Sequence, residues 1–138
     1  MIRVSFNRVY TFSAAHRLHA PGLNDEQNAQ VYEKCNNLFG HGHDYYLEVS
    51  IIGTPDRQTG MIIPLPELDH KVGVVLNGLN YKHLDKEVAE FGLQPSTGEN
   101  IIQYLWRLLE KELGANRLYH LKLWETKNNS FELGKERI

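Results

Sequence analysis

The chain has 138 residues, of which 41% are hydrophobic and 23% charged, and its formal net charge is −2. We expect one domain over residues 1–138, and the scattered Lys and Arg residues argue against a nucleic-acid or membrane-surface partner. No apolar run approaches the roughly 18 residues of a membrane span, and the N-terminus lacks a signal-peptide core. We therefore expect a cytoplasmic protein, whose single cysteine, Cys35, excludes an internal disulfide.

Alternating apolar residues predict two strands in the N-terminal half. In residues 2–12 the even positions are apolar except at Arg8. In residues 41–51 the odd positions carry His41, His43 and then apolar side chains. This period of two is typical of a half-buried strand, so the two histidines should share the apolar face.

The segments around the second strand carry turn signals. Residues 21–34 are polar and begin with Pro-Gly, which predicts a loop with one helical turn around 25–30. Residues 54–60 are also turn-rich, and 61–63 then predict a short third strand that pairs in a hairpin.

Two helices follow. Pro66 is suited to a first helical turn, and apolar residues recur at helical spacing from there to Leu79. A capping box, Ser96-x-x-Glu99, predicts the start of the second helix, and Gly114 predicts its end.

Two further strands complete the predicted fold. Residues 119–125 alternate, 128–129 predict a turn, and 131–133 predict a closing strand. The order of strands, two helices and strands predicts an α+β domain with an antiparallel four-stranded sheet and both helices on one face.

His41-Gly42-His43 should direct two imidazole rings to one side of a strand, with Cα atoms about 6.6 Å apart, so that both can reach one metal ion. His16 ends the neighbouring predicted strand. The face that carries the pair is otherwise apolar, where a polar ring without a partner is costly. The alternative is a set of hydrogen-bonded core histidines.

Three histidines without an obvious fourth ligand are typical of a catalytic zinc site, whose open position accepts water or substrate. Cys35 could close the site as a fourth ligand. It could also act as a thiolate base, with its pKa lowered from about 8.5 by a nearby cation or by backbone dipoles. Glu125 shares a strand face with Leu121 and Leu123, so its carboxylate needs a partner, either a Lys or Arg or the donor groups of a planar heterocycle.

Five segments together resemble the 6-pyruvoyltetrahydropterin synthase family, which includes the 6-carboxytetrahydropterin synthases of 7-deazaguanine biosynthesis. They are FSAAHRL at 12–18, CNNLFGHGH at 35–43, TGM at 59–61, STGEN at 96–100 and WETKNN at 124–129. The resemblance covers essentially the whole chain.

The resemblance implies a zinc ion with three protein ligands, which are His16, His41 and His43. It also implies a catalytic thiol at Cys35, a pterin-anchoring carboxylate at Glu125, and Thr97 and Glu99 in the substrate pocket. Family members have a tunnelling-type fold and form homo-oligomers, either trimers whose sheets join into a barrel or hexamers, with active sites at subunit boundaries.

The implied substrate is 7,8-dihydroneopterin triphosphate, whose side-chain hydroxyls would bind zinc while a base removes carbon-bound protons. In the pyruvoyl branch, proton shifts reduce the ring, oxidise the side chain and expel triphosphate. Five residues separate Cys35 from His41, which indicates this branch, because the carboxy enzymes commonly have three. The carboxy reaction of queuosine biosynthesis, which releases acetaldehyde, is the alternative.

One segment departs from the family pattern. The family usually has Leu-Asp-His-Lys-x-Leu, whose Asp-His pair belongs to a proton relay, whereas this chain has Asn80 and Tyr81 at those positions. Tyr81, with an ordinary pKa near 10, is a poor base at pH 7. In an extended segment His83 would face the same side, so we expect His83 to serve in the relay, with a surface histidine as the alternative. Asp69-His70 imitates the missing pair, but we expect both to face solvent on the first helix.

Two other functions match parts of the sequence. His41, His43 and Glu48 superficially resemble the metal motif of cupin dioxygenases, but strand parity places Glu48 on the opposite face. The loss of the Asp-His pair also fits a pterin-binding paralogue that keeps zinc and Glu125 but has little activity.

Overall fold

The computed structural model describes residues 2–135. Its sheet has five strands in the order β3-β1-β2-β4-β5. Their bounds are β1 Val4–His16, β2 His41–Gly53, β3 Lys82–His83, β4 Leu118–Trp124 and β5 Ser130–Gly134. Neighbouring strands are antiparallel except β1 and β3, which pair in parallel over two residues. The predicted α+β class is confirmed, but the sheet is mixed and five-stranded rather than antiparallel and four-stranded.

Of the five helices in the described part of the chain, two make most of the packing contacts. The bounds are α1 Asp25–Tyr32, α2 Leu65–Asn77, α3 Leu84–Glu87, α4 Glu90–Leu93 and α5 Gly98–Leu113, and a 3₁₀ turn, Glu33–Asn36, follows α1. Helices α2 and α5 contact each other, and α5 also lies against β4 and β5. No helix within residues 2–135 is both long and apolar enough to cross a bilayer.

The core lies between these helices and one face of the sheet. On β2, alternate residues from Tyr45 to Ile51 are fully buried, and on β1 the buried residues are Phe12, Ala14 and His16. The outer half of β1 is different, because Val4 and Phe6 remain exposed. The core-facing side chains of β1 therefore become more buried toward His16.

The predicted third strand at 61–63 is wrong. Asp56 closes a turn by accepting hydrogen bonds from the backbone N–H groups of Gln58 and Thr59. The chain then buries Ile63 in the core and passes through Pro64 directly into α2. Ile62 and Ile63 reflect packing against the core rather than strand pairing, whereas Met61 is exposed.

The N-terminus of α5 lies one residue later than the capping box predicts. Thr97 is the N-cap, and its hydroxyl accepts a hydrogen bond from the backbone N–H of Asn100 at 3.3 Å. The hydroxyl of Ser96 instead donates to Asp85. The predicted C-cap at Gly114 is confirmed, with φ of 98°.

Two smaller predictions have different outcomes. The helical turn predicted around 25–30 is α1, which begins with a capping box between Asn24 and Gln27. On α2, His70 is exposed as predicted, but Asp69 is only partly exposed. It accepts a hydrogen bond from the hydroxyl of Tyr10 at 2.7 Å and lies 3.0 Å from Nε of Arg8, so it ties α2 to β1.

Candidate metal centre and active site

The end of β1 and the start of β2 bring three histidines together. His16, the last residue of β1, is directly opposite His41, the first residue of β2. His43 lies two residues further along the same face, and the pairing of β1 with β2 runs without a bulge. One ring nitrogen from each side chain lies within 4.8 Å of the others, a geometry that could hold a metal ion.

The rings pack at steep angles to one another. Their centroids lie 4.8 Å apart for His16 and His41, 5.2 Å for His16 and His43, and 4.7 Å for His41 and His43. Within the cluster, four buried ring nitrogens have no hydrogen-bond partner among the described residues: Nε2 of His16, both nitrogens of His41, and Nε2 of His43. Buried polar atoms normally have a partner, and a neutral imidazole has one nitrogen with a free lone pair, so one nitrogen from each ring suits a bound cation.

The electrostatic environment keeps the three rings neutral. Burial lowers the pKa of His16 to about 4, although its hydrogen bond to the Ser96 carbonyl acts in the opposite direction. Burial also lowers the pKa values of His41 and His43, and His43 lowers that of His41 further. Neutral imidazole is the form that binds a metal ion, so the cluster requires little deprotonation at pH 7.

A hydrogen bond on the side away from the cluster fixes the orientation of the His16 ring. Its Nδ1 lies 2.8 Å from the backbone carbonyl of Ser96, which can only accept. Nδ1 therefore carries the proton, and Nε2 presents its lone pair to the centre of the cluster. Metal-binding histidines usually have such a carbonyl or carboxylate behind the ring.

Cys35 lies in the 3₁₀ turn, and two hydrogen bonds hold this turn beside Leu18, just after the end of β1. The N–H of Leu18 donates to the Cys35 carbonyl at 2.8 Å, and the Asn36 side chain donates to the Leu18 carbonyl at 2.6 Å. Burial raises the pKa of the Cys35 thiol, and Glu125 and Glu33 raise it further. The surrounding protein side chains therefore do not favour the thiolate, and the lowered pKa of the prediction would need a nearby cation or backbone dipoles to outweigh them.

Glu125 follows the last residue of β4, and its carboxylate is 13% exposed. Oε2 lies 3.8 Å from Nε2 of His16, so within residues 2–135 the carboxylate faces the histidine cluster rather than a Lys or Arg. Burial raises the pKa of Glu125, while His41 and a hydrogen bond from Asn129 lower it. The backbone N–H of Glu125 donates to the Asn129 carbonyl at 3.0 Å, which closes the turn after β4.

Thr97 and Glu99 lie at the N-terminus of α5. The Thr97 hydroxyl is engaged in capping the helix, and the Glu99 side chain is exposed. Glu99 is close enough to Glu125 that its negative charge raises the pKa of that carboxyl. The start of α5 therefore belongs to the surroundings of Glu125.

The segment that departs from the family pattern is not extended throughout. The Oδ1 atom of Asn80 accepts a hydrogen bond from the backbone N–H of Ser13 at 2.9 Å. Tyr81 has a φ of 61° and is 85% exposed, whereas the His83 side chain is 20% exposed. The left-handed backbone at Tyr81 means that the segment is not extended there, so the strand alternation behind the prediction for Tyr81 and His83 does not apply. Tyr81 and His83 nevertheless line one groove of about 550 Å³ together with His43.

Sequence reasoning missed two residues beside the cluster, Ser96 and Asp85. Ser96 lies behind the ring of His16, and Asp85 accepts a hydrogen bond from the backbone N–H of the next residue, Arg17. Glu48 stays outside the site, because the unbroken pairing of β1 with β2 keeps it on the opposite face from His43.

Comparison with known proteins agrees with this geometry. The sequence model of the 6-pyruvoyl tetrahydropterin synthase family matches residues 5–136. A 6-pyruvoyl tetrahydrobiopterin synthase of Drosophila melanogaster is 44% identical over 121 residues, which cover 86% of this chain and 72% of that protein. The Homo sapiens 6-pyruvoyl tetrahydrobiopterin synthase is 40% identical over 124 residues, covering 89% and 86%. The solved structure of Caenorhabditis elegans 6-pyruvoyl tetrahydropterin synthase superposes with a TM-score of 0.93 at 36% identity, covering 99% of this chain and 98% of that one. The chain therefore belongs to the 6-pyruvoyl tetrahydropterin synthase family.

Proposed function

We propose that this chain is a zinc-dependent 6-pyruvoyltetrahydropterin synthase, a lyase that acts on 7,8-dihydroneopterin triphosphate. The reaction would eliminate triphosphate and shift protons so that the pterin ring is reduced and the side chain oxidised. The observation that carries this proposal is the cluster of His16, His41 and His43, whose buried ring nitrogens lack partners in the described part of the chain, beside the carboxylate of Glu125.

The three histidines fit a zinc ion by donor type, by neutral charge and by separation. Three protein ligands leave a position for the hydroxyls of the substrate side chain. Zinc bound there would supply Lewis acidity, which makes neighbouring carbon-bound protons easier to remove. The chain's own contribution is to hold three imidazoles together with ring nitrogens that are shielded from solvent.

The proposed roles of the other site residues come from the family resemblance, and their positions support them. Cys35 is the proposed base, and its raised pKa means that a nearby cation would be needed to populate the thiolate at pH 7. Glu125 would accept hydrogen bonds from the pterin ring, with Thr97 and Glu99 beside the same pocket. His83, in the groove it shares with His43, is proposed as the replacement proton relay.

The assembly proposed is a homo-oligomer, a trimer or hexamer with active sites at subunit boundaries. Strand β1 pairs with β3 only at Ala14 and Ala15, so the edge of its outer half is unpaired among the described residues. Val4, Phe6 and Val9 are exposed on this half. Proteins usually cover such an edge, and joining sheets between subunits would do so. A cytoplasmic location completes the proposal, with residues 1–138 acting as one pterin synthase-like domain.

A second candidate is a pterin-binding protein with little turnover. Asn80 makes a structural hydrogen bond to the backbone of Ser13, and the Tyr81 side chain extends into solvent. In this chain neither residue supplies a carboxylate–imidazole pair. If His83 does not replace that pair, zinc and substrate would bind but proton transfer would be slow.

One assay distinguishes the two candidate functions. Zinc-loaded protein is incubated with 7,8-dihydroneopterin triphosphate, and the products are separated by chromatography. The proposal expects 6-pyruvoyltetrahydropterin and triphosphate, whereas a carboxy product with acetaldehyde would indicate the queuosine branch. Substrate binding without product would support the second candidate. His41→Ala and chelator-treated protein are the controls, and product from either would contradict zinc dependence.

A further inference from the structure

Asp85, at the start of α3, bonds to two neighbours of His16: Arg17, which follows it in the chain, and Ser96, which lies behind its ring. Its Oδ2 accepts a hydrogen bond at 2.6 Å from the backbone N–H of Arg17, the residue that follows His16. Its Oδ1 accepts a second bond, also at 2.6 Å, from the hydroxyl of Ser96. The carbonyl of Ser96 is the group that accepts from Nδ1 of His16. One carboxylate therefore holds the backbone after His16 and the residue behind its ring.

Ser96 connects Asp85 to the imidazole in two ways. Besides its carbonyl, its hydroxyl oxygen lies 3.3 Å from Nδ1 of His16. Because this hydroxyl donates its proton to Asp85, its oxygen is left to accept from the ring N–H. Ser96 and His16 are both fully buried, so water does not compete for these bonds.

We propose that Asp85, acting through Ser96, is a positioning residue that fixes the tautomer and direction in which His16 binds the metal ion. This inference rests on the proposed zinc site. Histidine ligands depend on partners of this kind, whose loss typically weakens metal binding about 10- to 100-fold.

A carboxylate at position 85 meets a specific hydrogen-bonding requirement. The N–H of Arg17 and the hydroxyl of Ser96 are both donors, and a carboxylate can accept from both at once. An amide has one acceptor oxygen, so Asp85→Asn must offer its NH₂ group to one of them. Nδ1 of His83 is 4.0 Å from Oδ2, beyond hydrogen-bond length, so it does not replace either donor.

Zinc affinity of the full-length protein tests this inference. The dissociation constant is measured by competition with a chromophoric chelator for wild type, Asp85→Asn, Ser96→Ala and the double variant. We expect each single change to weaken zinc binding by about 10- to 100-fold. The double variant should bind zinc about as weakly as the weaker of the two single variants, because both changes break the same contact.

Asp69→Asn is the matched control. Asp69 also accepts a hydrogen bond from the β1 side, but from Tyr10, six residues before His16. Its substitution should leave the zinc dissociation constant within about twofold of wild type. Cobalt-substituted protein gives a second readout, because the visible spectrum should change in Asp85→Asn and Ser96→Ala but not in Asp69→Asn.

Several results would overturn the inference. They are wild-type affinity in both site variants, an equal loss in Asp69→Asn, or wild-type protein that binds no zinc. If Asp85→Asn fails to fold, Ser96→Ala, which removes one oxygen atom, decides the question alone. Wild-type protein that binds zinc but forms no pterin product would contradict the proposed function while leaving the predicted differences in affinity intact.

Discussion

The ring of Phe131 on β5 occupies the space where a side chain at Gly98 would begin. Three ring atoms, Cδ2, Cε2 and Cζ, would overlap with a Cβ at position 98. Gly98 is the first residue of α5 and follows the N-cap Thr97. The absence of a side chain therefore lets the start of α5, which lies near Glu125, pack directly on the sheet.

Gly98→Ala should destabilise the protein by about 1–3 kcal/mol, the usual cost of overpacking a core. The free energy of unfolding in urea measures the effect. Adding Phe131→Leu should recover part of the loss. Gly73→Ala is the matched control, because Gly73 lies within α2 and nothing is within 4 Å of its Cβ position. It should stabilise the protein by about 0.5–1 kcal/mol, and equal effects of the two alanines would contradict the packing argument.

Glu125→Gln should leave zinc binding intact but lower kcat/KM for the pterin substrate. A hydrogen bond to a charged group contributes about 1.5–3 kcal/mol, which corresponds to a loss of about 10- to 100-fold. Steady-state kinetics and a zinc titration on the same preparation separate the two effects. Glu132→Gln is the control, because Glu132 on β5 pairs with His120 at 3.1 Å. A Glu125→Gln enzyme with wild-type kcat/KM would exclude Glu125 as the anchor.

The histidine cluster could be predicted because strand parity is local and the register happens to be unbroken. His41 and His43 share a face in any strand, and the continuous pairing of β1 with β2 places His16 opposite His41. The start of α5 was harder, because Ser96 and Thr97 are adjacent hydroxyl residues and either can cap a helix. Which of the two caps the helix depends on Asp85, which accepts a hydrogen bond from the Ser96 hydroxyl and leaves Thr97 as the N-cap.

The residues that the sequence did not predict depend on contacts between distant parts of the chain. The bond between Ser96 and His16 spans 80 residues, and no periodic pattern marks it. Strand β3 exists because the Asn80 side chain and the Tyr81 N–H both bond to the backbone of Ser13. The positive φ of Tyr81 that accompanies this pairing is unusual for a residue other than glycine.

Tyr10 should make stability depend on pH in the alkaline range. Burial raises its pKa, and the hydrogen bond and charge of Asp69 raise it further, so the folded state favours the neutral phenol. Its contribution is complete below the unfolded pKa of about 10 and is lost as the pH rises above that value. Tyr10→Phe should be less stable than wild type by about 1 kcal/mol at pH 8. The gap should narrow by pH 11 in urea unfolding, and a gap that stays constant would show that Tyr10 does not titrate differently on folding.

His83→Ala should lower kcat about 100-fold without changing the zinc dissociation constant, because general acid–base groups typically contribute a factor of about 10²–10⁴. Nδ1 of His83 is buried without a hydrogen-bond partner in residues 2–135, and the side chain shares its groove with His43. Both features suit a group that exchanges a proton with a bound molecule. His70→Ala, on the exposed side of α2, should leave kcat unchanged. Unchanged turnover in His83→Ala would remove His83 from the relay, and a loss in Tyr81→Phe instead would assign proton donation to Tyr81.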